Sequence, residues 1–320
     1  YKMSPYLGYE MTAEDLDRQY EEIHPLDSAD PVGGIGPGLF FAEELIQICG
    51  VPIGLIPCAL GGSSLEMWQR DFAEKKNEMF PDTLYGDLVD RVGIAGGAVK
   101  GVLWYQGESD TLPDNSKTYL ERFEGFVRDL RRDLRIPDLP VITVQLATAE
   151  EMEWAGEENW DRVREAQRLA SETIPHVELV ASADLPRNDH VHISTDGHRV
   201  LAKRLALAAS TRTTGCAPQY SVPRLGAVRA DGERIEVRFA GVNGSLAVSP
   251  GASLKDCFEV PGSSVTETRI SGPDTVDVVT DRSTADAREI YYGKGFRPPL
   301  GLIDDAGFAM PLFGPVAVAK

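Results

Sequence analysis

From about residue 38 to residue 210, near-continuous apolar runs alternate with amphipathic stretches; from about 220 onward the chain turns to short runs of period two. The runs "VPIGLIPCAL" (51–60), "GVLWYQ" (101–106), "PVITVQLA" (140–147) and "VELVASA" (177–183) predict strands. They are apolar at almost every position, as strands covered on both faces are. Between them lie helical patterns. Leu39, Ala42, Leu45 and Ile46 form a stripe in 38–49, Tyr119, Phe123 and Phe126 anchor 116–134, and Val163, Ala166 and Leu169 anchor 158–173. A last helix is predicted over 194–209, with Ser194 as its N-cap and Val200, Leu201, Leu205 and Ala208 turned inward. Strand and helix in alternation imply right-handed crossovers and a parallel, three-layer α/β sheet.

After "STRTTGCAPQY" (210–220) helical periodicity is absent, and Ile235-Glu236-Val237-Arg238-Phe239 alternates behind the turn signal Asp231-Gly232. The expected division is an α/β domain over 1–215 and a small antiparallel β domain over 216–320, docked on the first.

Charge and cysteine usage narrow the function classes. The net charge of −18 over 320 residues, with no local basic patch, argues against a nucleic-acid partner. No apolar run approaches the roughly 20 residues that span a bilayer, and no basic amphipathic helix suits a membrane surface. Cys49, Cys58, Cys216 and Cys257 contain no CxxC pair, so neither a zinc site nor a redox motif is signalled. Buried free thiols are expected, with one disulfide, Cys216 to Cys257, as the alternative. The chain begins at Tyr1 rather than Met, from which a removed or omitted upstream segment is expected. The compartment stays open, with a secreted or periplasmic one favoured.

In a parallel α/β sheet, ligands sit beyond the carboxyl ends of the strands, so the loops after the predicted strands are where chemistry is sought. The first, "CALGGSSLEMW" (58–68), runs a strand into Gly61-Gly62 and Ser63-Ser64. Its backbone N–H groups suit an oxyanion hole; the alternative is a plain strand-to-helix turn with Ser63 or Ser64 as N-cap. The second, "GVLWYQGESD" (101–110), places Gln106 and Glu108 at a strand end. A glutamine amide can donate to developing negative charge, and Glu108 reads either as an orienting acceptor or as part of a solvated loop. The third is "DHVHIS" (189–194). Asp189 stands three residues before His192 in a loop that feeds a helix, so its carboxylate can accept from the imidazole Nδ1 and leave Nε2 facing the cleft as a general base. His190 alternates to the other side and reads as a surface or lining residue. Metal binding by His190, His192 and His198 is the rival use, without a convincing acidic or cysteine partner set. No metal or cofactor is expected. Trp68, Trp104 and Tyr105 are candidate ligand-stacking aromatics, Trp104 equally a core residue.

Together, "GGIGPGLFFAEEL" (33–45), "IGLIPCALGGSSLEMW" (53–68), "GVLWYQGESD" and "DHVHISTDGHRVLAKRLA" (189–206) resemble the sialate O-acetylesterase-like, carbohydrate-esterase branch of the SGNH hydrolase superfamily. The tail ending "IYYGKGFRPPLGLIDDAGFAMPLF" resembles the C-terminal part of such esterases more loosely. The resemblance implies a flavodoxin-like hydrolase domain that removes acetyl groups from sugars through an acyl-enzyme, without a metal. It implies His192 as general base, Asp189 as its orienting acid, the Gly61-Gly62 backbone and the Gln106 side chain as oxyanion donors, and an acetylated carbohydrate as substrate. Glu108, Trp68 and Ser63 are candidate substrate contacts. The acidic chain suits neutral glycans better than strongly anionic ones. The family's nucleophilic serine sits in a GQSN-type motif ahead of these blocks, and no such motif occurs in the 320 residues; Ser4 lacks both its flanking residues. Two explanations compete: a chain lacking its front end, or a homologue that binds sugar without cleaving it. The cost of leaving buried strands unpaired favours the first.

Overall fold

The structure is a computed structural model that describes residues 36–72, 83–152, 154–211, 220–249, 251–284 and 287–320. Tyr1, Ser4, Cys216 and the expected domain boundary at 215/216 lie outside the described residues.

The α/β part is built on three parallel strands, β1 (Val102–Trp104), β2 (Val141–Gln145) and β3 (Val177–Ala181), in that spatial order. Val141 sits between Val102 and Val177 in the ladder. Every residue of β2 is buried, because helices cover both faces. On one face Val141 packs in a core with residues of α2 (Leu84–Ile94), α3 (Tyr119–Asp133) and α4 (Glu157–Thr173). On the other, Ile142 and Val144 meet α1 (Gly38–Cys49) and α5 (Thr195–Ser210). The crossovers α3 and α4 lie on the same face, as right-handed connections between successive neighbouring strands require. Fully burying each Val, Leu or Ile side chain contributes roughly 1.5–3 kcal/mol, so β2 is the most strongly held element of the sheet.

Three of the four expected strands and all four expected helices form, and α2 is one that the pattern reading did not contain. Residues 51–60 are the exception: they form no strand and enter no ladder among the described residues. Ile56, Cys58 and Leu60 lean on the core while Val51 and Leu55 stay exposed. An apolar run becomes a strand only beside a neighbour that takes its N–H and C=O groups, and among the described residues β1 is paired on its β2 side alone. The helical stripes also shift. In α1 the inward residues are Phe40, Phe41, Ala42 and Leu45, with Leu39 and Ile46 exposed; in α5, Val200 is exposed. Ser194 caps α5 as expected, accepting from the Gly197 N–H at 3.1 Å.

The second part is antiparallel. The hairpin β4 (Arg224–Asp231) and β5 (Arg234–Ala240), turning at Gly232, joins β8 (Val265–Gly272) and β9 (Thr275–Thr280) in the order β4-β5-β9-β8. β12 (Phe313–Ala317), β10 (Glu289–Tyr292) and β7 (Phe258–Glu259) form a second sheet, and β6 (Leu246–Val248) pairs with β11 (Leu302–Asp304). The Gln145 amide at the end of β2 exchanges two hydrogen bonds with the Leu312 backbone, donating at 2.8 Å and accepting at 2.9 Å, so the β part is stitched to the carboxyl end of the parallel sheet.

The Cys216–Cys257 alternative does not hold: Cys257 is a free, buried thiol that donates to the Ser253 carbonyl at 3.3 Å. Burial in the β core pushes that thiol up to about 11. Cys58 is likewise free, whereas Cys49 is disulfide-bonded, against the expectation of free thiols throughout. No described helix is long and apolar enough to cross a membrane.

Candidate active site

The segment after β3 folds into a tight hairpin-like loop. Ser194 N–H donates to the Pro186 carbonyl at 2.8 Å and Asn188 N–H to the His192 carbonyl at 3.0 Å. Inside this loop the Asp189 carboxylate is used twice. Its Oδ1 accepts the backbone N–H groups of Val191 (2.8 Å) and His192 (2.6 Å), an Asx-type turn that immobilises the carboxylate. Its Oδ2 lies 2.7 Å from His192 Nδ1. With Nδ1 engaged, the proton-accepting nitrogen of a neutral imidazole is Nε2, on a side chain that is 67% exposed. Burial pushes the Asp189 carboxyl up, but the amides of His192 and Val191 and the imidazole outweigh it and hold it below the usual carboxylate range. Asp189 therefore stays ionised wherever His192 could act. His190 is exposed. Among the described residues, no group of three or more His, Cys, Asp or Glu side chains is arranged to hold a metal ion.

The loop after β1 carries Gln106 and Glu108. Gly107 between them has φ 145°, and a Cβ there would stand 2.9 Å from Gln167 Nε2, so this sharp, closely packed bend requires glycine. Glu108 is half-buried; burial raises its carboxyl above the usual range, and the charge of His192 opposes that rise.

Gln106 differs from expectation. It is buried, and its Nε2 donates both hydrogens internally, to the Ser63 carbonyl (3.1 Å) and Asp110 Oδ2 (2.5 Å). As placed, it has no hydrogen left for an oxyanion. It instead braces the turn at 61–64, together with Asp110 Oδ2, which accepts Leu65 N–H at 2.7 Å, and Ser109 Oγ, which donates to the Gly62 carbonyl at 2.9 Å. Burial outweighs these bonds and the Arg122 guanidinium, and leaves the Asp110 carboxyl raised. Ser63 and Trp68 also turn inward rather than toward a substrate. Trp68 Nε1 donates to Ser63 Oγ at 2.9 Å, and Ser63 Oγ donates to the Leu60 carbonyl at 2.7 Å. Trp68 meets Trp104 edge to face at 5.4 Å, and both rings are core. Tyr105 is half-buried against both helical layers. Gly61 and Gly62, by contrast, are exposed with open space around each, and Gly62 sits at φ 70°.

One aromatic escaped the sequence reading. Trp154, in the loop after β2, is 48% exposed at the same sheet end as His192. Its signal was available: a tryptophan in the polar stretch "EEMEWAGEEN" has only glutamates three and four residues to either side, so no helical stripe calls it core.

The carboxyl end of the parallel sheet therefore carries an oriented His–Asp pair, a half-buried carboxyl after β1 and an open glycine turn. Comparison with known proteins finds carbohydrate esterases. The probable carbohydrate esterase At4g34215 of Arabidopsis thaliana is 34% identical over 204 residues, 60% of this chain and 71% of the plant protein. The crystal structure of XAC1771, a carbohydrate acetylesterase from Xanthomonas citri, matches with a TM-score of 0.73 at 28% identity over 87% of this chain; the chain spans 64% of that protein's length. The family model for carbohydrate esterases described as sialic acid-specific acetylesterases matches residues 5–211. The chain belongs to that carbohydrate esterase family.

Proposed function

We propose that the protein is a serine-type O-acetylesterase acting on acetylated sugars, with His192 as general base and Asp189 as its orienting acid. The observation that carries this reading is the 2.7 Å contact between His192 Nδ1 and an Asp189 carboxylate that two backbone amides already hold. In the proposed cycle a serine Oγ attacks the acetyl carbonyl while His192 Nε2 takes its proton. The tetrahedral oxyanion is held by the Gly61 and Gly62 N–H groups. Collapse expels the sugar oxygen, which takes the proton from the imidazolium and leaves an acetyl-serine. Water, deprotonated by His192, attacks that ester and releases acetate, and serine recovers its proton. Glu108 and the exposed face of Trp154 are the proposed substrate contacts, the indole as a stacking platform for a sugar ring. Gln106 acts here through the turn it braces.

No serine among the described residues is hydrogen-bonded to His192, which favours, as a second reading, a glycan-binding relative without turnover. Two measurements on the full-length protein separate them. Acetate release from p-nitrophenyl acetate and from acetylated oligosaccharides, surviving EDTA, is expected; its absence in folded protein overturns the esterase reading. A fluorophosphonate probe followed by peptide mapping is expected to mark one serine, and failure to label an active enzyme rules out the serine mechanism.

A further inference from the structure

The loop that carries Asp189 and His192 is held from outside the α/β part. Arg187, whose side chain is 14% exposed, donates from Nη1 to the carbonyls of Asp189 (3.0 Å) and His190 (2.6 Å). The His190 carbonyl accepts a second bond, from the Glu150 N–H at 2.8 Å. The Glu150 carboxylate in turn faces two guanidinium groups, Arg187 at 3.8 Å and, closer, Arg297. Arg297 belongs to the β part, in the segment between β10 and β11.

That segment is anchored where Arg297 leaves it. Phe296 donates its N–H to Glu157 at 3.0 Å, accepts the Ala149 N–H at 2.9 Å, and sets its ring 5.7 Å from Trp160. Buried Arg164 grips the Gly295 carbonyl, and Asp161 accepts the Gly295 N–H at 2.9 Å. Ala149 and Glu150 are thus a two-residue bridge: one amide points to the β part, the next to the active-site loop.

From these contacts the geometry points to Arg297 as a positioning residue for the Asp189–His192 pair, acting through Glu150 and Arg187. The inference rests on the proposed esterase reading only in its kinetic consequence. Glu150 and Arg297 are 47% and 59% exposed at their side chains, and ion pairs this open contribute little to global stability. Their effect lies in orientation. Without Arg297, the Glu150 carboxylate is free to swing onto Arg187 and draw it from the two carbonyls that fix the loop. A misplacement near 1 Å costs on the order of a hundredfold in rate, and a loosened loop a smaller part of that.

The test uses the full-length protein with Arg297→Ala, Arg297→Lys, Glu150→Gln and the Arg297→Ala/Glu150→Gln double variant. Arg297→Ala is expected to lower kcat on p-nitrophenyl acetate about tenfold with KM unchanged, and Arg297→Lys to recover most of it. The double variant should be no worse than the worse single one, because both cut the same relay. Independently of turnover, backbone amide exchange at Val191 and His192 should accelerate in Arg297→Ala while Tm stays near that of the parent. Unchanged exchange and kcat in Arg297→Ala overturn the inference. So does a loss confined to KM, which would make Arg297 a substrate contact. Should the parent release no acetate, the esterase reading falls, and the exchange measurement alone decides the positioning role.

Discussion

The loop 186–194 and the stretch 51–64 stand at the same end of the parallel sheet, and each runs from apolar residues into a motif of small or titratable ones. They are built in opposite ways. Around Asp189 nearly every polar group has a partner: two amides and an imidazole on the carboxylate, an arginine and an amide on the neighbouring carbonyls. Among the described residues, 51–60 enter no ladder, and Gly61 and Gly62 are exposed on a turn that Gln106, Ser109 and Asp110 hold. The first region brings its geometry from local hydrogen bonding reinforced by the β part. The second depends on what lies beside it. A proton-transfer group needs a fixed direction, while backbone N–H groups that are to receive an oxyanion must be unused.

Experiments can break or sharpen this contrast. The largest effect expected is from His192→Ala, which should lower ester hydrolysis at least a hundredfold with unchanged folding by circular dichroism, because general base work is lost entirely. His190→Ala should leave the rate within a few-fold, since His190 contributes its carbonyl and not its imidazole; equal losses in the two variants would mean that the wrong histidine has been chosen. Asp189→Asn should rank next, through the wrong imidazole tautomer and weaker amide bonds. It also carries a pH signature. The Asp189 carboxyl is depressed in the folded protein, so its stabilisation is present above the usual carboxylate pKa and lost as pH falls through the lowered folded value. Acid unfolding curves of parent and Asp189→Asn should therefore differ near neutrality and converge in strong acid.

Smaller effects probe the supports. Arg164→Met removes a buried guanidinium that serves the carbonyls of Leu146, Ala147 and Gly295, and should destabilise the protein by about 3 kcal/mol in denaturant titration. Trp68→Phe should cost about 1 kcal/mol for the lost bond to Ser63 and leave KM for an acetylated sugar unchanged. A raised KM would instead place Trp68 in contact with substrate.

How much was legible depended on the range of the interaction concerned. The strands β1, β2 and β3, the helices between them and the Asp189–His192 contact all follow from residues close in sequence, and periodicity or three-residue spacing reveals those. The roles of Gln106, Trp68 and Ser63 were not legible, because a polar or aromatic residue at a strand end looks the same whether its partner is a ligand or a buried backbone carbonyl. Only the Ser63 carbonyl and Asp110, up to 43 residues from Gln106 in sequence, decide it.

By itself, the sequence determined that strand and helix alternate through the first part, the antiparallel texture of the last hundred or so residues, and the pairing of an imidazole with an acid three residues before it. These are local properties, set by side-chain period and by the reach of a single turn. Tertiary structure alone decided that 51–60 enters no ladder among the described residues, that Gln106 is spent inside the protein, and that an arginine of the β part, more than a hundred residues from His192, reaches Glu150, whose N–H bonds the loop carrying that histidine. Hydrogen-bond partners far apart in the chain are chosen by packing, and packing is a property of the whole fold.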